Sequence, residues 1–166
     1  RVDELAKLFN GGGHACAAGF NPGKPLAEVK WEVIDLLKSH FSKIINDFGS
    51  LDLCVFSSGT YDPKLEQEIN IKQNKFVMET NFFGVLYCIK SVEKYFKDKK
   101  DGHISIVSSI AGYRGLPNSS GYGPSKAALN NFAESIYFDF KKYNVRVSVI
   151  SPGFIKTPLT DKNDFP

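Results

Sequence analysis

The chain has one methionine, one tryptophan and three cysteines in 166 residues. Cys16, Cys54 and Cys88 are odd in number and far apart, which excludes a disulfide framework and any CxxC metal pattern. That usage points to a reduced, cytoplasmic compartment. No apolar run approaches the ~20 residues that a membrane-spanning helix needs, and no signal-peptide pattern is present. A strong excess of one sign of charge is missing too, with 21 Lys and Arg against 18 Asp and Glu. The net charge is +3, too small to mark a nucleic-acid or membrane partner by itself. The densest basic run, "KDKK" at Lys97 to Lys100, closes a helical pattern, where the macrodipole favours cations. The chain opens on Arg1 rather than Met, which points to a fragment or a processed product.

What is present suffices for a folded core. Apolar residues make up 42% of the chain and charged ones 23%, the balance of one ordinary globular domain. The first forty residues read differently from the rest. "VDELAKLF" is a short amphipathic helix pattern that breaks at "NGGGHACAAGFNPGKP", a loop-like stretch of Gly and Pro. "LAEVKWEVIDLLKSHF" then sets Leu26, Val29, Val33, Leu36 and Leu37 on one face and predicts a helix from Leu26 to Lys38.

From about Phe41 the pattern alternates. Leu51 to Ser57, His103 to Ser109 and Val145 to Ser151 are short β-rich runs. Between them lie two helical patterns, one carrying Phe82, Leu86, Ile89, Val92 and Phe96, the other Ala128, Phe132, Ile136 and Phe140. Strands separated by helices imply right-handed crossovers and a parallel sheet. The expected fold is therefore α/β: three parallel strands with flanking helices, plus a small N-terminal α/loop segment, divided into residues 1–40 and 41–166. Such sheets bind ligands beyond the carboxyl ends of their strands. There the three runs lead into "SSGT", "SSIAGYRG" and "SPGFIKTP". Each has a plain reading, since β-to-α turns favour Ser, Gly and Pro anyway.

"GYGPSKAAL" places Tyr122 and Lys126 four residues apart, on one helix face. A phenol ionises near pH ~10 in water and is a poor base at neutral pH, but a neighbouring ammonium favours the phenolate. The spacing alone does not separate a proton-transfer pair from two surface residues. Gly112 and Gly115 read as turn glycines, Asn81 as a helix cap or kink, His103 as a hydrogen-bonded edge residue, and Cys54 and Cys88 as core.

Taken together, the loops resemble the short-chain dehydrogenase/reductase family. The stretch from Ser108 to Leu129 resembles its active-site segment, with Ser109 thirteen residues before the tyrosine of a YxxxK motif. "METNFFGVLYC" resembles its NxxG element, with the asparagine at Asn81. "VRVSVISPGFIKTPL" resembles its PG loop, and "FGSLDLCVFSSG" the strand that usually ends in NNAG, here FSSG. The resemblance covers about 41–166 and implies a partial Rossmann-like, doubly wound sheet. It implies NAD(P)-dependent interconversion of a small alcohol and a carbonyl, with NAD or NADP as cofactor and a homo-oligomeric assembly. Tyr122 would be the acid/base and Ser109 the donor to the substrate oxygen. Lys126 would tune the phenol and hold the nicotinamide ribose, and Asn81 would anchor a water in a proton relay. Ser58, Gly59, Asn81, Tyr122, Lys126, Pro152, Gly153, Ile155 and Thr157 would contact the cofactor.

The family's pyrophosphate-binding turn, TGxxxGxG, is not found, nor is the family's C-terminal end. "GGGHACAAGF" instead resembles the C-terminal GGGH loop of DHH-family phosphoesterases, with its helix at Leu26 to Lys38. That resemblance implies a phosphate cradle formed by Gly11, Gly12, Gly13 and His14. It opens two alternatives: nucleotide or nucleic-acid binding, or a catalytically silent fusion joined near Ser39 to Ser42.

Overall fold

A computed structural model describes residues 12–14, 17–19 and 26–155. Two short strands, β1 (Gly12–His14) and β2 (Ala17–Gly19), pair antiparallel, with Gly13 opposite Ala18. Helix α1 (Leu26–Phe48) leads to β3 (Leu53–Phe56). Helix α2 (Ile71–Met78) runs through a π-helical turn, Glu79–Phe83, into α3 (Gly84–Lys99). Strand β4 (Gly102–Val107), a 3-10 turn (Ile110–Gly112), α4 (Tyr122–Lys141) and β5 (Val145–Ile150) complete the order.

The three later strands form the parallel sheet that the alternating pattern predicts, in the order β3-β4-β5. They end before the β-rich runs do, because Ser57, Ser108, Ser109 and Ser151 leave the ladder and enter the loops, while β3 starts only at Leu53 and β4 already at Gly102. The core lies on one face of this sheet. Cys54, Phe56, Ile104, Ile106 and Val145 pack against Val85, Ile89, Val92 and Phe96 of α3 and Leu129, Ala133 and Phe140 of α4. Phe82, Phe132 and Ile136 close its margin. On β3 the pattern alternates, with Cys54 and Phe56 inside and Leu53 and Val55 outside. Central β4 is buried across Ile104, Ser105 and Ile106, as a strand covered from both edges should be. His103 therefore lies on the central strand, not at an edge, and its Nε2 sits 2.7 Å from Ser148 Oγ. Cys54 and Cys88 are core thiols, pushed up to about 12 and about 11 by burial.

Two differences from the sequence reading stand out. Helix α1 does not stop at Lys38 but continues to Phe48, passing Ser39 to Ser42 unbroken. Phe41, Ile44 and Ile45 carry the helical period of Ile34 and Leu37 beyond the predicted end, and α1 packs on α3. Second, residues 12–14 are not a loop. In a paired strand successive amides point to opposite sides, so Gly12, Gly13 and His14 do not converge on a phosphate as the cradle requires. Gly11 and the helix pattern "VDELAKLF" lie outside the described residues.

The passage from α3 to β4 is tight. Lys100 caps α3 in the left-handed region at φ 53°. Gly102 follows at φ +144°, and a Cβ there would come within 2.2 Å of Phe96 Cδ1. Only glycine fits this position without moving the core ring.

Candidate active site

The three strand ends bring their loops to one edge. Ser108 N donates to Ile150 O at 2.7 Å and Ile110 N to Pro152 O at 3.2 Å, so the loops after β4 and β5 are bonded together. The loop after β3 is held by Asn81. This side chain is fully buried in the π-helical turn. Its Oδ1 accepts from Thr60 N at 2.7 Å, and its Nδ2 donates to Thr60 O and Ser125 Oγ, both at 3.0 Å. Ser125 Oγ donates onward to Tyr122 O at 2.7 Å. Asn81 thus neither caps nor simply kinks its helix. It ties the loop after β3 to the first turn of α4. A π turn widens the helix locally and is frequent at functional sites.

Tyr122 is the first residue of α4, and Lys126 lies one turn on. The periodicity puts them on one face, and packing then buries that face. Lys126 is only 3% exposed. Its Nζ donates to Val107 O at 3.0 Å and stands 5.7 Å from the centre of the Tyr122 ring. Burial brings the lysine down from 10.5 to about 8. The Tyr122 phenol is shifted the other way. Burial raises it most, a hydrogen bond with the Ser109 side chain lowers it, and the Glu66 carboxylate raises it further. Ser109 stands on the loop after β4, where its Oγ accepts from Ala111 N at 3.2 Å.

Ser109, Tyr122, Lys126 and Asn81 are thus brought together. Gly59 joins them: a Cβ built on it would lie 3.5 Å from Lys126 Nζ and 3.7 Å from Asn81 Oδ1. Ser58 and Gly153 are exposed at the same edge, Pro152 is half-buried, and Ile155 is exposed. Thr157 lies outside the described residues.

Three neighbours carry no sequence signal. Tyr61 is buried with its ring centre 4.9 Å from that of Tyr122, and it donates to Asn118 O at 3.0 Å. Ser125 has a polar side chain with no exposure at all. Glu66, from the irregular loop between β3 and α2, is 2% exposed. Its Oε2 accepts from Gly121 N at 2.8 Å and Tyr122 N at 3.0 Å. Nothing in their spacing sets these three apart from ordinary loop or helix residues. Only its burial in the fold, with its carboxylate on the amides of Gly121 and Tyr122, reveals Glu66.

Residues 27–164 match the family described as short chain dehydrogenase. The chain belongs to the short-chain dehydrogenase family. It is 36% identical over 118 residues to an uncharacterized oxidoreductase of Myxococcus xanthus, covering 71% of this chain and 47% of that protein. A second uncharacterized oxidoreductase, from Staphylococcus epidermidis, is 27% identical over 165 residues, covering 99% of this chain and 67% of the relative. Among solved structures, ElxO with NADP bound superposes with a TM-score of 0.70 at 28% identity, over 78% of this chain and 52% of that one. The chain thus spans about half the length of the Myxococcus and ElxO proteins.

These matches correct the reading of the N-terminal segment. The likeness to this dehydrogenase family opens at residue 27, inside α1, rather than near residue 41. One relative aligns along almost the whole chain. The resemblance to DHH-family phosphoesterases is not borne out, and neither is the reading of an absent glycine-rich half.

Gly112 has a firmer role in this dehydrogenase chain than a turn alone. A Cβ there would lie 2.8 Å from Asn130 Nδ2, 2.9 Å from Lys126 C and 3.0 Å from Lys126 O. The 3-10 turn that follows Ser109 is therefore pressed against the helix bearing Lys126. Gly112→Ala should push the two apart, costing about 1–3 kcal/mol in urea unfolding. It should also lower any turnover by roughly tenfold or more through the misplaced serine.

Proposed function

We propose that this chain carries the acid–base centre of an NAD(P)-dependent oxidoreductase that interconverts a small alcohol and a carbonyl compound. The supporting observation is the buried Lys126 ammonium 5.7 Å from the centre of the Tyr122 ring, with the Ser109 side chain lowering the phenol's pKa from the loop after β4. The residues suit a nicotinamide cofactor. An ammonium has three donors, and Lys126 directs one of them to Val107 O, leaving others for ribose hydroxyls. Gly59 and Gly153 keep the backbone open along the edge, and nothing lies within 4 Å of a Cβ built on Gly153. Ser58, Gly59, Asn81, Pro152, Gly153, Ile155 and Thr157 are the further contacts proposed for NAD or NADP. When bound, the nicotinamide supplies or accepts the hydride.

The chain's own residues handle the proton. Ser109 donates to the substrate oxygen and holds it beside Tyr122. In reduction, Tyr122 gives its phenol proton to that oxygen as negative charge develops there; in oxidation it takes the proton back. Lys126 lowers the cost of the phenolate that forms in between. Asn81 fixes the loop after β3 and the first turn of α4, and by family likeness anchors the water that returns the proton. The proposed enzyme is a cytoplasmic homo-oligomer, by the cysteine usage and the family likeness respectively. Among the described residues no helix is long and apolar enough to cross a membrane.

The test is nicotinamide absorbance with NADH and NADPH against a panel of small ketones and aldehydes, with the reverse reaction on the matching alcohols. Reduction of at least one carbonyl is expected. No turnover with any pair, together with no calorimetric signal for either cofactor, would overturn the reading.

A further inference from the structure

Glu66 is a buried carboxylate that the proton-transfer scheme does not use. It sits 55 residues before Gly121 in sequence, on the irregular loop after β3, yet its Oε2 accepts the backbone N–H groups of Gly121 and Tyr122. These are the residue before α4 and the first residue within it. Gly121 has no side chain to cap the helix. Glu66 takes that place, where a negative charge also suits the helix dipole.

A cap alone does not explain the choice of residue. Oε1 of Glu66 is buried and has no hydrogen-bond partner among the described residues. Burying a charged group with half its acceptors unused is costly. A neutral amide or hydroxyl would accept the same backbone donors at less expense. What only the carboxylate adds is a charge beside Tyr122.

We infer that Glu66 is a positioning residue for the proton-transfer pair: its carboxylate seats the start of α4, which carries Tyr122, and sets a negative charge beside that residue. The inference rests on the reading of Tyr122 as the acid–base residue. Among the described residues, Lys126 of α4 lies near the Tyr122 ring and Tyr61 packs on it from the loop after β3, while Ser109 after β4 and Glu66 after β3 shift its phenol in opposite directions. Glu66 in turn faces Tyr61 and Tyr122, with Asp62 beside Tyr61. Tyr122 thus has the Glu66 carboxylate on its backbone amide and the Lys126 ammonium 5.7 Å from its ring centre. Lys126 favours the ionised form of the phenol, and Glu66 keeps the proton in place until a substrate oxygen and Ser109 are aligned to receive it.

The experiment is an NMR titration of the full chain with tyrosine labelled at Cζ, the Tyr122 signal being assigned from its loss in Tyr122→Phe. Glu66→Gln keeps an acceptor for the two amides and removes the charge. It should lower the Tyr122 midpoint by roughly half a unit or more. The pH profile of any turnover should move the same way, with kcat changing more than KM. An unmoved midpoint overturns the inference. The titration needs no activity, so a chain that binds no nicotinamide and turns nothing over would bear on the proposed function alone. Should Glu66→Gln fail to fold, the unmodified protein decides. Its Gly121 and Tyr122 amide protons should be downfield and slow to exchange, and fast exchange of both would refute the cap.

Discussion

Tyr122→Phe is expected to lower turnover by roughly 10²–10⁴-fold, the range a positioned general acid contributes, while leaving the fold in place. The asymmetry follows from what the ring does apart from its hydroxyl. It packs against Tyr61, with centres 4.9 Å apart, and the backbone amide of Tyr122 is held by Glu66. Phenylalanine keeps both contacts. The loss is the hydroxyl's interaction with Ser109, at most about 1 kcal/mol in net stability. Tyr61→Phe is the natural control, because the Tyr61 hydroxyl is spent on Asn118 O. It should cost similar stability and far less activity. The comparison is made by steady-state rates on both variants with urea unfolding alongside. Near-full turnover in Tyr122→Phe would remove the central assignment.

The sheet and its chemistry-bearing edge could be read before any coordinates because two periodicities overlap cleanly there. The β-rich runs end in Ser, Gly and Pro, and the helical patterns between them fix a parallel order. Ser109, Tyr122, Lys126 and Asn81 stood out only through resemblance to the family's motifs, because the four-residue spacing of Tyr122 and Lys126 fits a surface pair equally well. Glu66 and Tyr61 did not, because their loop has no period; only folding turns a carboxylate in "KLEQE" inward. Nor does the pattern say that Ser125 and Lys126 are among the most buried polar residues. On α4 the apolar pattern pointed to Ala128, Phe132, Ile136 and Phe140. The deepest line instead runs through Leu129, Ala133 and Phe140, because the 3-10 turn at Gly112 and the sheet together cover more of the helix than an amphipathic stripe implies. At the other end, "GGGHACAAG" misled for a related reason. Glycine permits a phosphate-binding nest and a paired strand equally well, and the pairing with Ala17–Gly19 selected the strand.

Lys126→Met is expected to make the protein more stable at about pH 7 and nearly inactive. Burial brings the lysine from 10.5 to about 8 in the folded chain. Between those values the unfolded chain holds more protons than the folded one, so stability rises with pH from about 8 to about 10.5. Below about 8 the full cost of burying the ammonium is present, on the order of 3 kcal/mol. Methionine fills a similar volume without charge but leaves Val107 O, which Lys126 now binds, without its donor, a loss of about 1 kcal/mol. The variant should therefore gain about 1–2 kcal/mol in urea unfolding at about pH 7. That advantage should shrink above pH ~8 and vanish or reverse by pH ~10.5, where the lysine is neutral in both states. A pH-independent difference, or a less stable variant at neutral pH, would contradict this account. Activity should move the opposite way, falling roughly 10²-fold or more for want of a cation beside the phenolate. Wild-type turnover should decline as pH rises through about 8 and Lys126 loses its charge. A buried ammonium that weakens the fold has a reason to persist only if its charge is used. The joint sign, stability up and rate down from one substitution, separates a working lysine from one that merely packs.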